Sequence, residues 1–138
     1  MDYRLNHKIN SPTILVVSSG QEKLAPNSAV VASLNQVYIS VLEAPRIISW
    51  VQQHQPDLIV VDLSRSQIID LQFVTALRLD WLTRNIPILI VANPFSLQSF
   101  KGLDYDACLI EPYSLKELEQ TICTLMFIPA CKPGYLAV

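Results

Sequence analysis

The chain has 138 residues, enough for one domain with a substantial core. Apolar residues make up 51% and charged residues only 16%, a balance that excludes an intrinsically disordered chain. The net charge is -2 and no basic stripe is present, which argues against nucleic-acid binding. No apolar run approaches the roughly 18 residues of a membrane span, and the polar start, Met1 to Asn10, is no signal peptide. We therefore expect neither nucleic acid nor a membrane among its partners.

The cysteines and histidines indicate no catalytic or metal centre. Cys108, Cys123 and Cys131 form no C-x-x-C pair, and an odd number without metal spacing predicts reduced thiols in a cytoplasm. No Cys-His pairing or serine triad is visible, since His7 and His54 fall in a polar tail and at a helix end. The prediction is a cytoplasmic protein that is not an enzyme and that has no metal or cofactor.

The residue pattern predicts two strands and one helix in the first third of the chain. Residues 1–12 are polar and are predicted to form a flexible N-terminal arm. The run Ile14 to Val17 is rich in β-branched residues, which predicts a buried strand that ends in the loop Ser18-Ser19-Gly20. Pro26 marks the predicted start of a helix that runs to about Asn35. Tyr38 to Leu42 alternates in part and is the second predicted strand.

A helix, a strand and a second helix follow. Pro45 opens the first of these helices. Pro56 to Leu63 is a short apolar run without a polar residue between its two aspartates, which predicts a parallel strand buried on both faces. Asp62 then lies at the carboxyl end of that strand, where open α/β sheets keep their sites. The next helix carries apolar residues at spacings of three and four, namely Val74, Leu77 and Trp81.

The last third predicts two more strands and a capped helix. Ile86 to Val91 is a fourth buried strand, and Ala107 to Ile110 is a short fifth one. Between them only Phe95 to Phe100 can be helical, so the fourth helix is shortened. Ser114 and Glu117 form a capping box. The helix that it opens carries a predicted inward face of Leu115, Leu118, Ile122 and Leu125, and residues 128–138 are predicted to be an exposed tail.

Strands that alternate with helices five times predict an α/β fold, a three-layer doubly wound five-stranded parallel sheet. Right-handed crossovers leave few topologies. The flavodoxin-like order 2-1-3-4-5 places strands 1 and 3 side by side, which brings the Ser18-Ser19 loop next to Asp62. The predicted domain is residues 13–127.

These residues resemble the receiver domains of two-component response regulators, the CheY-like family. Pro56 to Leu63 resembles the third strand of that family, and Glu111-Pro112-Tyr113 resembles its Lys-Pro-Phe at the end of strand five. The resemblance covers Thr13 to Met126. It implies a cis peptide bond before Pro112, since X-Pro bonds tolerate cis cheaply.

The resemblance also implies a chemistry that this sequence has largely lost. Receivers transfer a phosphoryl group from a histidine kinase to an aspartate, which corresponds to Asp62 here, with the help of a divalent ion. The family's acidic pair, its phosphate-binding lysine, its Ser/Thr and its aromatic switch residue are all replaced. In that order, the degenerate receiver-site positions are Ser18 and Ser19, Glu111, Ala92 and Cys108.

These losses together describe a pseudo-receiver, similar to those of cyanobacterial circadian-clock proteins. The predicted function is a non-catalytic signalling module that contacts other proteins, a histidine kinase or an effector, with a homodimer as an alternative. The predicted interaction surface is the shortened fourth helix, strand five and the last helix, with Phe95, Phe100 and Tyr113 exposed. The alternative for these rings is that they fold inward and fill the space of the missing helix.

Two other functions stay open at this point. One is an atypical response regulator that a histidine kinase phosphorylates on Asp62. The other is a small-ligand or anion binder that uses the Ser18–Gly20 loop, since such loops bind anions when they lead into a helix.

Overall fold

A five-stranded parallel sheet forms the centre of the computed structural model, which describes residues 12–19, 23–64 and 71–126. The strand order is β2-β1-β3-β4-β5, which confirms the predicted topology. The predicted N-terminal arm and C-terminal tail lie outside the described residues, apart from Pro12. The strands are β1 (Thr13–Ser18), β2 (Asn35–Ser40), β3 (Leu58–Asp62), β4 (Ile88–Ala92) and β5 (Ala107–Ile110).

The helices lie in two layers, one on each face of the sheet. They are α1 (Ala29–Ala32), α2 (Ala44–His54), α3 (Gln72–Leu79) and α4 (Leu115–Met126), with a 3₁₀ helix (Pro94–Phe100) between β4 and β5. Helices α2, α3 and the 3₁₀ helix pack on one face, whereas α1 and α4 pack on the other. Among the helices in the described ranges, none is long and apolar enough to cross a membrane.

The three central strands are continuous apolar runs because helices cover both of their faces. Successive side chains of a strand point to opposite faces. Leu15 and Ile59 therefore belong to the cluster under α2 and α3, whereas Ile14 and Leu58 belong to the cluster under α1 and α4. All four are fully buried. The burial of both faces is what makes these strands recognisable from the sequence.

Helix α1 begins later than predicted. The sequence predicts its start at Pro26, but Pro26 lies in a turn and the N-cap is Ser28. The Ser28 hydroxyl accepts a hydrogen bond from the Val31 N–H at 3.0 Å and donates one to the Glu119 carboxylate at 2.5 Å. An N-cap serine satisfies a free N–H of the first turn, so the helix begins directly after it.

Two residues that the sequence places on the apolar faces of helices are exposed. Trp81 is 73% exposed because α3 ends at Leu79, before Trp81 is reached. Asp80 holds the following turn through its carboxylate, which accepts a hydrogen bond from the Leu82 N–H at 2.9 Å. Leu115, the first residue of α4, is 42% exposed, whereas Leu118 and Ile122 are buried as predicted.

The capping box of α4 is confirmed. The Ser114 hydroxyl accepts a hydrogen bond from the Glu117 N–H at 3.0 Å, and the Glu117 carboxylate accepts one from the Ser114 N–H at 3.1 Å. These reciprocal bonds satisfy two N–H groups that have no partner inside the helix. They fix the start of α4 directly behind the last strand.

The cysteines differ from the prediction of three reduced thiols. Cys108 is free, but Cys123 is disulfide-bonded, and its partner lies outside the described residues. Spacing alone does not indicate this bond, because no C-x-x-C or other short-range pattern marks it. The inference of a cytoplasm from reduced thiols therefore loses its support.

Candidate functional site

The carboxyl ends of the strands bring the predicted site residues to one edge of the sheet. Ser18 of β1 is in register with Asp62 of β3, and Asp62 is in register with Val91 of β4. The Glu111 N–H donates a hydrogen bond to the Ala92 carbonyl at 2.8 Å, which places Glu111 beside the end of β4. We call this side of the sheet the carboxyl edge.

Only one of the two oxygens of the Asp62 carboxylate accepts hydrogen bonds from the described residues. Its Oδ1 accepts hydrogen bonds from the Ser64 N–H at 3.0 Å and from the Ser64 hydroxyl at 2.6 Å. Its Oδ2 accepts no hydrogen bond from any residue that the structure describes. The side chain is half-buried. Among the described residues, Ser64 thus holds one oxygen of this carboxylate in place.

Ser18 and Ser19 stand where the resemblance implies the acidic pair. Ser18 is 9% exposed, and Ser19 follows it at the surface. Mg²⁺ prefers carboxylate oxygens, so one carboxylate with two neutral hydroxyls is a donor set that does not fit this ion. Within the described ranges, no three His, Cys, Asp or Glu side chains are grouped to hold a metal.

The Ser18–Gly20 loop does not lead directly into a helix. Gly20 lies outside the described residues, and the next described helix, α1, begins only at Ala29 and has 4 residues. An anion site of the predicted type needs backbone N–H groups at the start of a helix that follows the loop. The described part of this region therefore offers no support for the anion-binding alternative.

Glu111, where the resemblance implies a lysine, adds a second negative charge to the carboxyl edge. Its side chain is exposed and makes no hydrogen bond or ion pair with the described residues. The peptide bond between Glu111 and Pro112 is cis, as the resemblance implies. The turn formed by Pro112 leads from β5 into α4.

Tyr113 experiences the charge of both carboxylates. Its half-buried ring packs against the apolar cluster under α4. Burial raises the pKa of the Tyr113 phenol, and the negative charges of Asp62 and Glu111 raise this pKa further. Both carboxylates therefore lie close enough to one hydroxyl to act on it electrostatically.

Ala92 and Cys108 stand where the resemblance implies a Ser/Thr and an aromatic switch residue, and neither side chain is of that kind. Ala92 is fully buried at the end of β4 and has no hydroxyl. Cys108 is half-buried in β5, packs against the cluster under α2 and α3, and is a free thiol. Burial raises the pKa of Cys108, so its reactive thiolate form is disfavoured.

The three rings of the predicted interaction surface have different environments. Phe95 is 95% exposed, whereas Phe100 is only 4% exposed. Phe100 packs edge-on against Tyr105 with ring centroids 5.8 Å apart. For Phe100 the alternative of an inward ring therefore holds, and not the exposed position, since this ring fills the space under the short 3₁₀ helix. Phe95 faces solvent, and Tyr113 is intermediate.

A polar network that the sequence reasoning missed connects Asp62 to the 3₁₀ helix. The Asn93 side-chain N–H donates to the Ser64 carbonyl at 2.7 Å, and its Oδ1 accepts from the Phe95 N–H at 2.8 Å. The Ser96 hydroxyl donates to the Leu63 carbonyl at 3.1 Å. The signal in the sequence is the Asn93-Pro94 pair, since Asn is a favoured N-cap residue and Pro a favoured first helical residue.

Comparison with solved structures identifies this fold as that of response-regulator receiver domains. The chemotaxis response regulator CheY4 of Vibrio cholerae is 18% identical, with a TM-score of 0.63 over 83% of this chain and 98% of that chain. The signal receiver domain of a histidine kinase from Syntrophus aciditrophicus is 17% identical, with a TM-score of 0.67 over 85% of this chain and 91% of that one.

A third receiver domain is similar and contains a metal ion. It comes from a sensor histidine kinase of Pseudomonas aeruginosa, is 16% identical, and has a TM-score of 0.64 over 85% of this chain and 98% of that chain. In that structure a magnesium ion is coordinated in the active-site cleft. No protein-family model matches this sequence, and no curated protein matches it. At sequence identities this low, the similarity to these structures shows the fold alone.

Proposed function

We propose that this protein is a pseudo-receiver, a non-catalytic signalling module that acts through contacts with other proteins and without phosphorylation. The observation that carries the proposal is the charge at the carboxyl edge. Asp62 keeps the acceptor position, but neutral Ser18 and Ser19 stand beside it and Glu111 adds a negative charge. The proposed partners are a histidine kinase or an effector protein, as for modules of this fold.

The charges at the edge oppose phosphoryl transfer to Asp62. Without a cation, an incoming phosphoryl donor meets the Glu111 carboxylate unscreened. At about 6 Å and an effective dielectric constant near 20, each pair of unit charges repels by about 3 kcal/mol. A barrier raised by that amount slows the reaction by about two decades. A lysine at position 111 would attract the phosphoryl donor. Glu111 therefore both lacks this attraction and adds a repulsion.

Intact-mass spectrometry tests the proposal directly. The purified chain is incubated with acetyl phosphate and Mg²⁺, and Asp62→Ala serves as the matched control. We expect no phosphoryl adduct on the wild-type chain and no beryllofluoride complex. A mass increase of one phosphoryl group that is absent from Asp62→Ala would contradict the proposal and favour an atypical response regulator.

The location of this module stays a prediction. Receiver domains of two-component proteins suggest the cytoplasm as the compartment in which it meets its partners. The disulfide of Cys123 is an observation against that location, because such bonds are rare in most cytoplasms.

A further inference from the structure

The strongest unexplained surface lies at the carboxyl edge, where an exposed aromatic ring stands beside two carboxylates. Phe95 is 95% exposed at the start of the 3₁₀ helix that follows β4. Asp62 ends β3, and Glu111 follows β5, so the two acids flank the strand from which Phe95 emerges. We call Asp62, Phe95 and Glu111 the carboxylate rim.

We propose that the carboxylate rim binds a partner protein through a segment that combines basic side chains with apolar ones. The basic side chains pair with the two carboxylates, and Phe95 packs against the apolar side chains. This inference rests on the proposed function and names the chemistry of the partner.

Glu111 is exposed and Asp62 is half-buried, so solvent reaches both carboxylates. Asp62 Oδ2 and the Glu111 carboxylate have no hydrogen bond or ion pair with the residues that the structure describes. Adjacent strands are about 4.8 Å apart, so β3 and β5, with β4 between them, place the two acids about 10 Å apart. Two neighbouring basic side chains of one partner segment can reach both. Complementary charge of this kind speeds association and selects the partner.

Phe95 is presented on a fixed support. The Asn93 side chain accepts a hydrogen bond from the Phe95 N–H and donates one to the loop behind Asp62. Ser96, 4% exposed, ties the same turn to the Leu63 carbonyl. The backbone that carries this ring is thus fixed before binding, and exposed aromatic residues of this kind carry much of the energy of protein interfaces.

The charge pattern distinguishes the partner class. Two negative charges repel phosphate groups, so nucleic acid and anionic ligands do not fit this rim. An apolar segment without basic residues would contact Phe95 but would pair with neither carboxylate. A protein segment with both basic and apolar side chains complements all three residues.

Peptide panning tests the inference for any partner of this chemistry. A phage-displayed library of random dodecapeptides is selected on the folded full-length chain, and binding of selected peptides is measured by fluorescence anisotropy. We expect enrichment of Lys and Arg next to apolar residues. We expect Phe95→Ala and the double variant Asp62→Asn with Glu111→Gln each to weaken binding about tenfold or more, and high salt to weaken it as well.

Matched control variants alter the opposite end of the sheet. Trp81→Ala removes an aromatic ring that is 73% exposed, and Asp104→Asn removes one negative charge from a largely exposed side chain. Neither should change the affinity of the selected peptides. The inference is overturned if no peptide is enriched, if the peptides lack basic residues, or if the rim variants bind them normally.

Different experimental results would contradict the proposed docking site and the proposed function. Peptides whose binding depends on Trp81 would overturn the rim as the docking site while leaving a protein-interaction function in place. A phosphoryl adduct on Asp62 would overturn the proposed function itself.

Discussion

Tyr113 offers a measurement of the electrostatics of the carboxyl edge. Its phenol has a pKa raised above the ordinary value of 10.0, first by burial and then by Asp62 and Glu111. A raised pKa means that the folded state favours the neutral phenol. The resulting stabilisation is complete below pH 10 and is lost as the pH rises through the folded-state pKa.

The change Glu111→Gln should lower the pKa of Tyr113 without returning it to the ordinary value, because burial is the largest cause. Titration of ¹³Cζ-labelled tyrosine by NMR, with Tyr113→Phe to assign the signal, provides the measurement. Asp104→Asn, on the far side of the sheet, should leave the titration unchanged. An unaltered curve in Glu111→Gln would show that the charge of Glu111 does not act on this hydroxyl.

Arg78 makes contacts between distant parts of the chain that the sequence alone does not predict. Its Nη2 donates to the Asp106 carboxylate at 2.5 Å, its Nη1 to the Arg84 carbonyl at 2.9 Å, and its Nε to the Asp104 carbonyl at 3.1 Å. The side chain is 13% exposed. It thereby connects the end of α3 to the segments before β4 and β5, and no local pattern in the sequence predicts contacts over such distances.

Removing this arginine should destabilise the fold strongly. Arg78→Ala removes the ion pair with the partly exposed Asp106 and the donors of the Arg84 and Asp104 carbonyls. The loss should be about 1–3 kcal/mol, the typical cost of leaving such groups unsatisfied. Urea unfolding measures the difference. Arg84→Ala, at an exposed neighbouring position, should change the free energy of unfolding by less than about 0.5 kcal/mol. Equal effects of the two substitutions would contradict the role assigned to Arg78.

At the scale of the element, the 3₁₀ helix separates two phenylalanines that the sequence does not distinguish. Phe95 and Phe100 are both apolar residues in a short segment without a clear period. The structure places Phe100 in the core and Phe95 in solvent. Phe100 thus anchors this short segment in the core, whereas Phe95 at its start can contact another molecule.

This difference predicts opposite results for two matched substitutions. Phe100→Ala should lower the free energy of unfolding by about 3–5 kcal/mol, because it opens a cavity in the core. Phe95→Ala should change it by less than about 0.5 kcal/mol, as expected for an exposed site. Chemical denaturation of both variants gives the comparison. A loss of stability in Phe95→Ala comparable to that of Phe100→Ala would mean that the two rings have been assigned to the wrong environments.

The elements that could be predicted are those whose signals are local. The apolar runs of β1, β3 and β4 were recognisable because both faces are covered, and the Ser114–Glu117 box marked the start of α4. The start of α1 was missed because Pro26 suits both a turn and a first helical turn, while the cap is Ser28. The network through Asn93 was missed because its partners become neighbours only when β3 and β4 pair.

At the scale of the whole molecule, the fold does not depend on the charges at the carboxyl edge. Two apolar clusters hold the sheet, and among the described residues no buried side chain is charged. The charges at the carboxyl edge can therefore differ without cost to the core. Because the core and the carboxyl edge consist of different residues, the apolar pattern of the sequence predicts the topology well. The chemistry of the edge depends on single side chains and must be judged residue by residue.

The same separation of core and edge predicts that a metal site can be built at the carboxyl edge without loss of the fold. The double variant Ser19→Asp with Glu111→Lys places a second carboxylate beside Asp62 and removes the repelling one. If the variant binds Mg²⁺ with a dissociation constant near 1 mM, 10 mM Mg²⁺ should stabilise it by about 1.4 kcal/mol. Thermal unfolding with and without the ion measures this, with the wild-type chain, Ser19→Asn with Glu111→Gln, and Ca²⁺ as comparisons. We expect a gain in the double variant and none in the wild-type chain. If the charged variant gains no more than the neutral one, Ser19 and Glu111 do not correspond to the receiver positions assigned to them.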